Sequence, residues 1–247
     1  MIRTLVIIAV ASFVLALACF AGAAAIGGRD LAANGWVWPE KWRDYGIHVS
    51  SAPDGVDTVG QTRDLTWSGG DTLQIDFESD VHYTQGAEAE VRIHGPEALI
   101  KHIVLEDGRL SLTKEGEALG LAPGDDVRVE IVAPSVRTFV VNGSGDLRFE
   151  GYDQENLTVQ VNGSGKVRGE GRADRLAVTV SGSGEADLGS VQVSDANIKV
   201  VGSGETTVAP TGAAKVEIAG SGDVRLATKP AALESQIDGS GELHTSN

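Results

Sequence analysis

The sequence predicts an all-β protein: a right-handed parallel β-solenoid (β-helix) with a β-rich N-terminal cap, preceded by an N-terminal hydrophobic helix. Three observations predict it. The phrase Gly-Ser-Gly recurs six times, starting at Gly143, Gly163, Gly182, Gly202, Gly220 and Gly239, in steps of 20, 19, 20, 18 and 19 residues. A fixed period of this length marks a repeat architecture, here of about six coils of roughly 19–20 residues. Apolar and polar residues alternate on either side of each phrase, as in half-buried strands. The segments between copies, such as Gly151–Asn156 and Ser190–Asp195, are long enough to turn a coil and too long for a tight hairpin.

The chain divides in order into an export segment or membrane anchor (1–30), a Trp-rich linker (31–70), a β-rich cap (71–135) and the repeats (136–247). After Arg3 comes an uncharged run from Leu5 to Ile26. A positive start before an apolar stretch is an export signal, and this one suffices for about one membrane span. It has three fates: an uncleaved anchor, cleavage near Ala21-Gly22-Ala23, or lipidation at Cys19, which follows Leu15-Ala16-Leu17-Ala18. Each exports the rest of the chain, and the uncleaved or lipidated form keeps a membrane partner at its N-terminus. Trp36, Trp38, Trp42 and Tyr45 suit a membrane-interface belt, or else pack on the β domain or lie in a linker. Ser51-Ala52-Pro53-Asp54-Gly55 reads as linker.

From Asp71 the strand signals begin. Leu73, Ile75 and Phe77 alternate with polar residues, as do Val91 and Ile93, and Val127, Val129 and Ile131. Glu106-Asp107-Gly108 reads as a turn between Ile103-Val104-Leu105 and Leu110-Leu112, and Pro96–Lys101 as a short helical turn. The region lacks the Gly-Ser-Gly phrase and suits the cap that a solenoid needs.

In the repeats, Val141, Val161, Val180, Val200, Ile218 and Ile237 stand two residues before the first glycine, and Phe139, Val159, Val178, Ile198, Val216 and Ser235 four before it. Leu147, Val167, Ala186, Thr206, Val224 and Leu243 stand four after it. Unbroken parity places both glycines of every phrase inward, Gly143 with Gly145, Gly163 with Gly165, Gly182 with Gly184, Gly202 with Gly204, Gly220 with Gly222 and Gly239 with Gly241, where the backbone bends or packs closely. The serines between them point outward. An antiparallel meander with hairpin tips is the competing architecture. Like residues stacking on like favour the parallel solenoid, and right-handedness is the default for parallel crossovers.

The run from VHYTQGAEAEVRIHGPEALI through EDGRLSL and VRVEIVAPSVRTFVVNGSGDLRFEG into repeated V-x-V-x-GSG-[DEK] units resembles the head GIN domain of auto-transporter adhesins, a domain of unknown function. The resemblance covers roughly residues 70 to 247. It implies an all-β, solenoid-like fold in an exported bacterial protein; with the N-terminal apolar run as anchor, the chain is expected to be held in the envelope, facing the periplasm or the cell surface. The family has no accepted catalytic residues, so the resemblance carries none over.

The formal net charge of −15 argues against nucleic acid, whose phosphates need Lys and Arg, and against adsorption on anionic lipid. The single cysteine lies in the apolar run, so no disulfide forms within one chain. Asp146, Lys166, Glu185, Glu205, Asp223 and Glu242 directly follow the six phrases. Stacked coils would align them in a column of five carboxylates and one lysine. Like charges at strand spacing repel, and Ca²⁺ could relieve that. A solvated charged face is the stronger reading, so no cofactor is expected. Ser144, Ser164, Ser183, Ser203, Ser221 and Ser240 would form a hydroxyl column, able to hold a sugar but more at home bonding along itself. His48, His82, His94, His102 and His244 show no metal-site spacing, and no nucleophile elbow or phosphate-binding phrase occurs. The chain stops at Asn247 just after the last repeat, so an uncapped coil would invite self-association or strand addition. The function expected is a non-enzymatic envelope or surface binding module, adhesin-like, whose partner is a glycan or an envelope protein. The alternatives are a periplasmic structural or regulatory protein that binds a partner through its solenoid end, and a polysaccharide-active enzyme, for which the short coils leave little room to build a cleft.

Overall fold

The computed structural model describes residues 60–119 and 127–246. The apolar run, Cys19, and Trp36, Trp38 and Trp42 lie outside the described residues, as does the hydrophobic helix expected there.

The N-terminal part contains β1 (Gln61–Leu65), β2 (Thr72–Ile75), β3 (Asp80–Gln85) and β4 (Glu90–Gly95). A one-turn helix, α1 (Glu97–Ile100), leads to β5 (Ile103–Glu106) and β6 (Arg109–Leu112), then α2 (Lys114–Ala118) and β7 (Arg128–Ala133). Thr113 caps α2 by accepting from the Gly116 amide. β5 and β6 form an antiparallel hairpin closed by Asp107 and Gly108, both at positive φ, as a two-residue primed turn requires. β1, β4 and β7 pair antiparallel and cover one end of the sheet. β1 lies inside the stretch read as linker: its polar QTRDL sequence carries no strong alternation, and only pairing along β4 makes it a strand.

The repeats follow as β8 (Thr138–Gly143), β9 (Asp146–Gly163), β10 (Lys166–Gly182), β11 (Glu185–Gly202), β12 (Glu205–Pro210), β13 (Ala213–Gly220), β14 (Asp223–Leu226), β15 (Ala232–Gly239) and β16 (Leu243–Thr245). β8, β9, β10, β11, β13 and β15 stack parallel, with Gly143, Gly163, Gly182, Gly202, Gly220 and Gly239 in one register column. Past the corner, β9, β10, β11, β12, β14 and β16 form a second parallel ladder. A third side aligns Tyr152 with Gly171 and Val191. The fold is therefore the β-solenoid, not the meander. Six corners bound about five full turns, one fewer than a coil for every phrase.

The inward rows are buried as the alternation requires. Val141, Val161, Val180, Val200 and Ile218 are at most 2% exposed. Each such side chain contributes about 1.5–3 kcal/mol on leaving water, which explains why β-branched residues recur there. Between cap and repeats sits an aromatic cluster: Phe139 stacks on Phe149 at 4.9 Å, with Tyr83 edge-on at 5.1 Å from Phe139. The Tyr83 hydroxyl donates to the Ala133 carbonyl at 2.8 Å and that of Tyr152 to the Asn156 carbonyl at 2.9 Å, so both rings bury without an orphaned polar tip.

The corners differ from the expectation in one respect. Only the second glycine of each phrase faces inward. The first is exposed or half-exposed and has φ between +89° and +140°. A residue at positive φ turns the chain at that point, so the first glycine leaves the inward row, which resumes with the same parity at the second glycine. The Gly143 carbonyl accepts from both the Ser164 and Gly165 amides, each at 2.9 Å, and Gly220 does the same for Ser240 and Gly241. These corners are held together by backbone alone.

β2 and β3 form a further rung that carries no Gly-Ser-Gly phrase. β2 pairs parallel with β8, and β3 with β9. The Asp146 amide donates to the Ser79 carbonyl at 2.9 Å, as the Lys166 amide does to Gly145 at 3.2 Å. Ser79 thus occupies the place of the second glycine. The solenoid begins within the segment that the sequence assigns wholly to the cap.

Candidate binding surface

A regular stack turns sequence repeats into surface columns. Parallel in-register pairing aligns Asp146, Lys166, Glu185, Glu205 and Asp223, and the Glu242 amide bonds the Asp223 carboxylate at 2.9 Å. The expected acidic column exists. β3 and β7 lengthen it with Asp80 and Arg128. Its charges are partly answered in place: Lys166 pairs with Glu185, Arg225 with Glu205 at 3.2 Å, and Arg128 with Asp80 at 3.5 Å. Among the described residues no three His, Cys, Asp or Glu side chains gather as metal ligands.

Burial pushes the Asp146 carboxyl up, and Asp80 adds to this. The Lys166 ammonium and backbone N–H act against it.

The six serines are all exposed, as expected. Their hydroxyls do not bond along the column among the described residues. The side-chain ladder lies two residues earlier, where Asn162 donates to Asn142 at 2.9 Å and Asn142 to Asp76 at 2.6 Å. Burial would raise the Asp76 carboxyl, but hydrogen bonds from Asn142, Gln74 and Arg109, with the Arg109 charge, hold it below the ordinary range.

The next outward column, two residues further on, aligns His82, Arg148, Arg168 and Asp187. Where these columns meet the first corner, a polar cavity of about 570 Å³ opens between the β2–β3 bend and β10. Sequence reasoning did not find it, because three of its ten lining residues, Glu78, Ser79 and Asp80, come from the unmarked rung. A second, apolar groove of about 490 Å³ crosses five coils along the row Leu157, Leu176, Ala196, Ala214 and Leu233.

Residues 71–230 match the family described as "Putative auto-transporter adhesin, head GIN domain". The chain belongs to this family. The GIN-domain match opens just before β2 and so takes in the unmarked rung as well as the repeats.

A solved structure supports the fold. A crystal structure described as a putative adhesin from Bacteroides fragilis is similar at 19% identity and a TM-score of 0.61, covering 76% of this chain and 97% of that one. Another, described as a putative lipid binding protein from Parabacteroides distasonis, shares 20% identity with a TM-score of 0.48, covering 76% of this chain and 97% of that one. No curated protein matches the chain.

Proposed function

We propose that this GIN-domain chain is a non-enzymatic binding module of the bacterial envelope, adhesin-like, exported and held at the membrane by its N-terminal segment. The observation that carries the reading is the stacked architecture within an adhesin-type family. About five turns, in register along the Gly-Ser-Gly side, present outward columns of charge and hydroxyl. Such a surface engages a partner through many equivalent contacts and needs no reorganisation to do so.

A second reading has one observation in its favour. On β15 every residue is exposed, including Leu233 at 46% and Ile237 at 41%, whose counterparts one coil earlier are buried. Among the described residues β15 pairs only with β13, and a strand edge with such apolar neighbours suits strand addition by an envelope protein or a second copy.

The test is attachment. A strain lacking this chain is compared with the same strain re-expressing it, on surfaces coated with polysaccharide or with envelope extract. The adhesin reading predicts several-fold weaker attachment in the deletion strain, restored by re-expression and blocked by added purified chain. Equal attachment in both strains would overturn it.

A further inference from the structure

We propose that the polar cavity at the first corner binds the terminal acidic sugar of a saccharide, with Arg148 and Arg168 taking its carboxylate. The assignment rests on the binding-module reading above and gives it a ligand class and a site.

The charge balance around the cavity is the first argument. The chain carries a net −15, yet four cations line this one place: Arg128, Arg148, Lys166 and Arg168. The carboxylates there number three, Glu78, Asp80 and Asp146. The local balance is reversed relative to the chain as a whole.

The second argument is an imbalance within the cluster. Arg148 on β9 stands directly across the parallel ladder from Arg168 on β10, and both project outward. Like charges in register on neighbouring strands destabilise a sheet. Arg128 has Asp80 at 3.5 Å, Arg148 has Glu150 at 3.6 Å, and Lys166 has Glu185. Among the described residues Arg168 has no carboxylate within 4 Å, although Asp187 stands in register with it on β11 and its charge acts on Asp146. An oxyanion between two guanidinium groups would relieve their repulsion with paired, charge-assisted hydrogen bonds.

The remaining lining suits the rest of a sugar. The carboxylates are acceptors for ring hydroxyls, and Ser144 offers an exposed hydroxyl. Ser79 also lines the cavity. It is 4% exposed, and its Oγ is buried with no hydrogen-bond partner among the described residues. A bare phosphate or sulfate would use the cations and leave three carboxylates facing it, whereas an acidic sugar uses both sets. The volume, about 570 Å³, lies within the usual range for small-ligand sites of ~300–1,000 Å³. The acidic surface elsewhere repels a long polyanion, which points to a single terminal acidic residue.

Calorimetric titration of the full chain in detergent micelles tests this with two matched pairs. One is a glucuronate-β-1,4-glucose disaccharide against cellobiose; the other is 3′-sialyllactose against lactose. At least one acidic member is expected to bind at least about tenfold more tightly than its neutral counterpart, as a charge-assisted contact implies. Arg168→Gln and Arg148→Gln should each weaken that binding by about tenfold or more at an unchanged melting temperature. Arg172→Gln, on the third side of the coil, should leave it intact. Failure of both acidic probes, equal binding of acidic and neutral members, or full binding by Arg168→Gln would overturn the assignment. If attachment of cells still depends on the chain, the site is wrong and the binding-module reading stands. If the acid binds here while attachment is independent of the chain, the reverse holds.

Discussion

Gly184 leaves no room for a side chain over Gly165, its counterpart one coil earlier. A β-carbon on Gly184 would lie 2.7 Å from the Gly165 carbonyl oxygen and 2.5 Å from a methyl group of Val161. The same obstruction recurs at Gly165, Gly204 and Gly222, where the distance to the carbonyl below is 2.5–2.6 Å. The second glycine of each phrase is therefore fixed by stacking; the first is fixed by its positive φ and, from Gly163 onward, also by the carbonyl of the coil below, which would lie 2.0–2.5 Å from a β-carbon, so that only Gly143 carries the φ requirement alone. The repeat is conserved along the chain for two different reasons.

These two causes separate by substitution. Gly184→Ala meets backbone that cannot step aside and should cost about 3 kcal/mol, at the upper end of overpacking. Gly143→Ala has nothing within 4 Å of the new carbon and bears only the strain of φ +89°, roughly 1–2 kcal/mol. Urea denaturation of the two variants checks the order. Equal losses would mean that stacking does not select the second glycine.

Gly169 makes room for a ring. It pairs in register with Phe149, and a β-carbon there would collide with the Phe149 side chain. Gly169→Val should destabilise the protein by more than about 2 kcal/mol, and Phe149→Leu in the same chain should recover part of the loss. A double-mutant cycle by chemical denaturation reads the coupling. Strict additivity would refute the compensation.

Asp76 makes stability depend on acid. Its carboxyl is held below the unfolded value near ~3.9, so its contribution is complete above that pH and is lost as the pH falls through the lower folded value. Asp76→Asn should be less stable than the parent at neutral pH, and the gap should close as the solution is acidified below about pH 4. Thermal melts across pH 2–7 measure this. A gap independent of pH would show that the carboxylate charge is not what Asn142, Gln74 and Arg109 hold.

Calcium should have no effect on the melting temperature. Lys166 interrupts the acidic column, Arg225 bridges to Glu205, and Arg128 stands at its other end beside Asp80. Melts in Ca²⁺ and in EGTA should coincide. A clear rise with Ca²⁺ would restore the column as a cation site.

Much of this was legible in the sequence, and the physics says why. A parallel in-register stack repeats one environment, so identical requirements write identical residues: β-branched side chains inward, glycine at the corner, charge just past it. That is how Val161, Gly163, Gly165 and the acidic column could be read directly. The rung of β2 and β3 escaped because Phe77-Glu78-Ser79 stands where the others have Gly-Ser-Gly, so no phrase marks it. The parity argument failed at Gly143 and its equivalents because alternation counts residues and cannot see a positive φ. The cavity beside Ser79 joins residues 78–80, 128, 144–148 and 166–168, which come together only once that rung is in place.

The proposed adhesin-like role requires that the solenoid face outside the cell. Protease treatment of intact cells, followed by detection with an antibody against residues 136–247, tests it most directly. The account predicts that the repeats disappear from intact cells while a cytoplasmic marker survives. Repeats that persist until the outer layer is permeabilised would contradict it and place the chain's partner inside the envelope.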